Sequence, residues 1–316
     1  MTSQSASLSS APLLQAQPRR RTLQQSQRLW GFIFLSPWIF GFLVFTLFPM
    51  LISLYFSFTN FKIGEEIKWI GLTNWVKLFQ DPSTLNSLTV TLRFGLIALP
   101  VGILLPLTLA SLLNSRWLIA RPLFRVFFYM PYIVPAISGV FVWQSFLNGQ
   151  TGWLNRALRL IGIQSPPNWL FDPIFLNTGL VLIGVWGIGN AMLTMMASMQ
   201  GVPTELYEAA RVDGANPWTL FRKITLPMIS PVLFYNLVLG VIGLMQYFTV
   251  PYVLSNVTRS NPNTYFINLH LYRTAFQFQD MGYASAIAWF IFILGLGFTL
   301  FLFATSRRWV YYTSGD

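Results

Sequence analysis

"WGFIFLSPWIFGFLVFTLFPMLISLYFS", residues 30–57, carries no charged, amide or imidazole side chain. A helix needs about 20 apolar residues to cross a bilayer, so this run is long enough to span a membrane. Upstream of it, residues 1–28 are rich in Ser, Gln and Ala and hold Arg19, Arg20, Arg21 and Arg28. The apolar stretch from Leu29 to Phe58 far exceeds the core of a secretory signal, roughly 7–15 residues. Residues 1–28 are therefore expected to stay as a disordered, basic cytoplasmic tail.

The same reading applies along the chain. Five more apolar stretches, at about 91–113, 124–147, 174–199, 229–253 and 283–305, bring the expected number of spans to six. Their apolar centres hold no acidic residue, and Arg93 falls at the mouth of the second. Only helices and closed barrels satisfy their backbone in lipid, so these runs predict an all-α membrane bundle. Composition agrees: of 316 residues, 54% are hydrophobic and 9% charged, whereas a soluble domain carries about a quarter charged residues.

The net charge of +11 comes from basic residues that flank the apolar runs, as topology control requires, so it does not point to nucleic acid. There is no cysteine, and His270 is the single histidine. That excludes disulfides, thiolate metal sites and cysteine nucleophiles, and it leaves a histidine-based catalytic set without partners. His270 itself reads as a plain loop residue. With the N-terminus inside, twelve Lys and Arg lie on inner segments and seven on outer loops. That bias places both termini in the cytoplasm.

Two outer stretches read as interfacial helices. Leu72, Trp75, Val76 and Phe79 share one helical face, as do Trp153, Leu154, Leu158 and Ile161. Aromatic residues on such a face suit the headgroup boundary.

One polar island interrupts the second half: "ELYEAARVDGANPWTLFRKITLP", residues 205–227, with Glu205, Glu208, Arg211, Asp213, Arg222 and Lys223. Pro203 and Glu205 open a first helix and Gly214 closes it in the left-handed region; Asn216 and Pro217 start a second. By the orientation above, the island is a cytoplasmic knob. Its form suggests docking, with Ala209 and Ala210 small enough for another backbone to approach closely.

Glu208-Ala209-Ala210, three residues, Gly214, nine residues and Ile224-Thr225-Leu226-Pro227 resemble the EAA motif of ABC importer permease subunits. "GLTNWVKLFQDP" (71–82), "RVFFYMPYIVPAISGVFVW" (125–143) and "YRTAFQFQDMGYASAIAW" (272–289) are similar to the binding-protein-dependent carbohydrate branch, the maltose and glycerol-phosphate type. The likeness covers residues 30–311. It implies a type I ABC importer permease fold in a bacterial inner membrane: a six-helix domain at 29–311, a coupling loop at 203–227 and a cytoplasmic end at 312–316. It also implies a coupling site formed by Glu208, Ala209, Ala210, Arg211, Asp213, Gly214, Leu226 and Pro227, held in a groove of a dimeric ATPase. The further partners implied are a homologous second permease subunit in a heterodimer and an extracytoplasmic solute-binding protein. The sequence has no G-x-x-x-x-G-K-[ST] phosphate loop, so ATP and magnesium are expected on the ATPase and no cofactor here.

A solute path needs polar groups and breaks in helices near the membrane midplane. Pro131 and Pro135 bracket Tyr132. Ile183, Trp186, Gly187 and Asn190 fall on one helical face, and Gly240, Gly243, Leu244 and Tyr247 on another, with Gln246 adjacent. The expected path residues are Tyr132, Trp186, Gly187, Asn190, Gly243, Gln246 and Tyr247; close helix packing explains the glycines equally well. The resemblance implies a sugar, with disaccharide, oligosaccharide, glycosylated osmolyte and glycerol phosphate all open. A secondary transporter or channel acting alone is the alternative.

Overall fold

A computed structural model describes residues 23–115, 118–258 and 261–311. Residues 1–22 of the tail expected over 1–28, the flanking Arg116 and the end at 312–316 lie outside the described residues. Residues 1–53 and 54–316 form separate units. Helix begins at Leu23, so the described part of the expected tail, 23–28, is helical.

The elements follow the apolar runs. They are α1 (Trp30–Ser57), α2 (Thr73–Gln80), α3 (Pro82–Asn114), α4 (Arg121–Ile133), α5 (Ala136–Phe146), α6 (Trp153–Leu160), α7 (Leu176–Val185), α8 (Gly189–Gln200), α9 (Thr204–Val212), α10 (Pro217–Leu220), α11 (Ser230–Met245), α12 (Thr249–Thr258), α13 (Ile267–Tyr272) and α14 (Met281–Ser306). Among the described residues the only β pairing is two isolated bridges, Thr59 with Trp69 and Lys62 with Asp280. The fold is all-helical.

Among the described residues, four helices are long and apolar enough to cross a membrane: α1, α3, Ser230–Ser255 and α14. Two pairs are bent, α4–α5 by 104° and α7–α8 by 56°, and counting each pair as one span gives up to six. The first bend follows from Pro135, which has no N–H to continue the helix; Val134 closes α4 by donating to the Pro131 carbonyl.

One expected boundary moves. The second apolar run starts at 91, yet α3 begins at Pro82, where the Asp81 carboxylate accepts from the Ser83 amide at 3.0 Å. Asp at the N-cap followed by Pro is a helix start. Arg93 therefore sits about three turns inside α3 and is exposed. The first turns bury Thr84, Ser87 and Thr91, and this polar face is what hid them from a reading by hydropathy.

Two buried clusters hold residues 54–316 together. One joins α3, α5, α7, α11 and α14 through Phe94, Val140, Leu180, Leu244 and Ile287. The other joins Leu107 and Leu113 of α3 to Met192, Met195, Met196 and Met199 of α8 and to Ile229. Where α4 meets α8, a Cβ at Gly189 would come within 2.6 Å of the Phe128 carbonyl oxygen, so glycine sets that approach. Helices form over both stretches expected to be interfacial. Leu72, Val76 and Phe79 are exposed while Leu78 is buried, and in α6 Trp153 is exposed while Asn155 is buried and accepts from the Trp169 indole at 2.7 Å.

Candidate functional site

Three helical runs are interrupted close together in the fold. α4 gives way to α5 at Val134 and Pro135, α7 to α8 over 186–188, and α11 to α12 over 246–248. The third break has no proline. It is held from outside, because the Asn268 carboxamide donates to the Met245 carbonyl that the break frees.

Between these breaks lies a cavity of about 670 Å³, bounded by α3, the bent pairs and α11. Such a volume is within the range of roughly 300–1,000 Å³ that small-molecule sites occupy. Of the expected path residues, Tyr132, Gly187, Gly243 and Tyr247 line it, together with Gly184, Asn236 and Gly240. Tyr247 stacks on Phe94 with ring centroids 5.0 Å apart, and its hydroxyl is buried without a hydrogen-bond partner. Asn236 uses its Nδ2 on Thr194 and on the Val232 carbonyl, which leaves its Oδ1 for another donor. Side chains added at Gly184 or Gly243 would meet nothing within 4 Å; those glycines keep the space open.

The other three expected path residues lie elsewhere. Trp186 lines a separate, apolar cavity with Trp143 and Phe128, while Asn190 and Gln246 are exposed outside the lining. The single face expected for Ile183, Trp186, Gly187 and Asn190 is lost because the 56° bend falls within it; Ile183 is buried and Asn190 exposed. Gly240, Gly243 and Leu244 share a face of α11, and Tyr247, in the break just beyond it, lines the same cavity.

His270, expected to be a plain loop residue, is instead the hub of a buried polar cluster. Its Nε2 lies 2.9 Å from the Thr84 hydroxyl and its Nδ1 2.9 Å from the Tyr265 hydroxyl. Thr84 and Tyr283 donate to the Asp81 carboxylate at 2.8 and 3.1 Å. A consistent proton assignment has Tyr265 donating to Nδ1 and Nε2–H donating to Thr84. Desolvation pulls His270 below the ordinary histidine value, with Asp81 opposing and Lys77 assisting. Burial works against the Asp81 carboxylate, but hydrogen bonds from Thr84, Ser83 and Tyr283, with the His270 charge, together hold it below its usual value. This cluster ties the start of α3 to α13 and the start of α14. Its partners are about 190 residues apart in sequence, so no local pattern could reveal it.

The polar island folds as its caps predict. α9 ends in Gly214 at φ +80°, with Ala215 donating to the Ala210 carbonyl at 2.9 Å, and Asn216 caps α10 by accepting from Thr219 at 2.8 Å. Glu205, Glu208, Ala209, Arg211, Asp213, Arg222 and Lys223 are exposed. Among the described residues none of the six charged side chains forms an ion pair. Leu206, Val212 and Trp218 are exposed beside them, Val212 at 89%. Ala210, Leu226 and Pro227 are half-buried. Leu226 packs with Tyr207, Phe221 and Ile224 against the methionine-rich cluster, and Tyr207 meets Thr225 hydroxyl to hydroxyl at 2.9 Å. These inward contacts of Tyr207, Phe221 and Ile224 went unread in the sequence, although their apolar character between charges was a signal.

Comparison with known proteins adds the following. A family profile described as "Binding-protein-dependent transport system inner membrane component" matches residues 98–311. The chain is 36% identical over 304 residues to the probable ABC transporter permease protein YesP of Bacillus subtilis, covering 95% of this chain and 97% of that one. It is 30% identical to the lactose transport system permease protein LacF of Rhizobium radiobacter, covering 92% and 98%. A solved chain from a bacterial ABC transporter involved in the import of the acidic polysaccharide alginate superposes with a TM-score of 0.79 at 27% identity, over 92% of this chain and 99% of that one.

Proposed function

Because the chain belongs to the inner membrane components of binding-protein-dependent transport systems, we propose that it passes a sugar or sugar-like solute through the cavity at the three breaks and takes its driving force at α9. It is a multi-pass permease subunit of an ABC importer in the inner membrane, and ATP hydrolysis resides on a separate subunit. A transporter working alone, the alternative suggested by composition, is set aside by that membership.

In the full reading, residues 29–311 make six spans, with each bent pair counted as one and both termini cytoplasmic. The excess of basic residues on the inner segments supports that orientation. A homologous second permease completes a heterodimer. An extracytoplasmic binding protein delivers solute, and a dimeric ATPase, holding ATP and magnesium, seats α9. Glu208 makes a charge-assisted contact there, Ala209 and Ala210 admit the groove wall, and Arg211, Asp213 and Gly214 fix the helix end. Leu226 and Pro227 join the loop to α11. Closure of the ATPase pair then moves the loop and the cluster packed on it as one body. Tyr132, Gly187, Gly243 and Tyr247 face the solute; Trp186, Asn190 and Gln246 flank the path at the breaks.

The observation that carries the solute path is the partnerless Tyr247 hydroxyl, buried at a helix break beside open space. Leaving such a group unsatisfied costs about 1–3 kcal/mol, a cost that a solute hydroxyl would remove. The test is uptake by cells carrying Tyr132→Ala or Asn190→Ala, with assembly followed by copurification. Tyr132→Ala should depress uptake more than Asn190→Ala while the complex still assembles. Wild-type uptake in both moves the path elsewhere.

A further inference from the structure

Resting on the reading of this cavity as the solute path, we infer that the transported solute is electrically neutral. Among the described residues, the side chains that can hydrogen-bond into the space are Tyr132, Asn236 and Tyr247, all uncharged, and no Lys, Arg, Asp, Glu or His lines it. The rest of the wall is aliphatic, aromatic or glycine. A carboxylate or phosphate held against this wall would gain no counter-charge from the chain, and an ion taken from water without a partner is strongly disfavoured. Neutral hydroxyls fare differently. Each both donates and accepts, as do the tyrosine hydroxyls and the Asn236 amide. The Phe94–Tyr247 stack, 5.0 Å between ring centroids, gives the C–H face of a pyranose an apolar wall. This narrows the cargo to uncharged glycosides and excludes uronates and glycerol phosphate. On that point the chain parts from its structural relative, whose transporter imports an acidic polysaccharide.

The test compares cells that express the complete transporter with cells lacking only this chain. Both are fed one mixture of neutral oligosaccharides and uronate oligomers of matched length. Solutes whose depletion depends on the chain are passed over anion- and cation-exchange resins. The inference expects all of them in the flow-through. A chain-dependent solute retained on either resin overturns it, as does a mixture in which no neutral oligosaccharide depends on the chain.

A Gly243→Leu arm separates the two ideas, because Gly243 lines the cavity and a Cβ there meets nothing within 4 Å. Loss of uptake with assembly preserved upholds the path, so a retained solute would then sink neutrality alone. Unchanged uptake in Gly243→Leu sinks the path and the inference with it. Should that variant fail to assemble, Tyr247→Phe, which keeps the volume and removes the hydroxyl, is expected to raise the half-saturating concentration of the neutral solute; an unchanged value counts against the path in the same way.

Discussion

The Asp81–His270 cluster and the 205–227 loop are both rich in ionisable groups, and they use them in opposite ways. Around His270 the polar atoms face one another: Asp81, Thr84, Tyr265 and Tyr283 satisfy each other inside the chain. In the loop the six charged side chains point into solvent without an ion-pair partner among the described residues, beside exposed Leu206, Val212 and Trp218. A closed network stabilises the fold that contains it, whereas an open one adds little until something else supplies the partner. The difference teaches that charge in this apolar chain has two settings, a closed clasp between helices and an open surface, which the proposed function assigns to another protein.

The separation can be broken by substitution. The largest effect should come from Glu208→Lys, with uptake abolished and the ATPase lost on detergent purification, while the chain stays in the membrane with an unchanged thermal midpoint. A mutant that still copurifies with its ATPase and transports normally would show that the loop does not dock.

At the clasp the pattern should invert. Asp81→Ala leaves the Thr84 and Tyr283 hydroxyls without their acceptor, which should cost roughly 2–4 kcal/mol of stability. ATPase copurification should persist, and thermal unfolding in detergent reads the first effect while affinity purification reads the second. Acid should weaken the same region more gently. Folding depresses the His270 pKa below 6.5, chiefly by desolvation, so the unfolded chain takes up the proton first. The contribution is present above pH 6.5 and is lost as pH falls below it. The thermal midpoint should drop as pH falls below about 6.5, and His270→Gln should flatten that part of the profile. The smallest expected effect is at Tyr207→Phe, which removes one hydroxyl contact with Thr225 and should cost about 1 kcal/mol with the ATPase still bound. An unaltered midpoint would show that this hydrogen bond does not fasten the loop to the bundle.

Much of this was legible in the sequence where the cause is local. The apolar runs marked the candidate spans, Pro131 and Pro135 marked the first bend, and Gly214, Asn216 and Pro217 set the shape of the loop. What escaped depends on distant partners. The break after Met245 needs Asn268, and nothing in "GLMQYFTV" (243–250) announces it. The role of His270 needs Thr84, Asp81 and Tyr283 brought from other helices. The first turns of α3 are an intermediate case, since the hydropathy pattern hid them while Asp81 and Pro82 declared the start. Of the expected path residues, Tyr132, Gly187, Gly243 and Tyr247 line one cavity because each lies in or beside one of the three breaks that border it; Asn190 does not, because the 56° bend falls between it and Ile183.

The claim on which the rest depends is that a separate ATPase drives this bundle through its exposed loop. The direct measurement is uphill uptake into liposomes. One preparation holds this chain alone, and another holds it with the second permease, the ATPase, the binding protein and ATP. Concentrative uptake only in the complete, ATP-supplied preparation is the predicted result. Uphill uptake by the chain alone, without ATP, would contradict it.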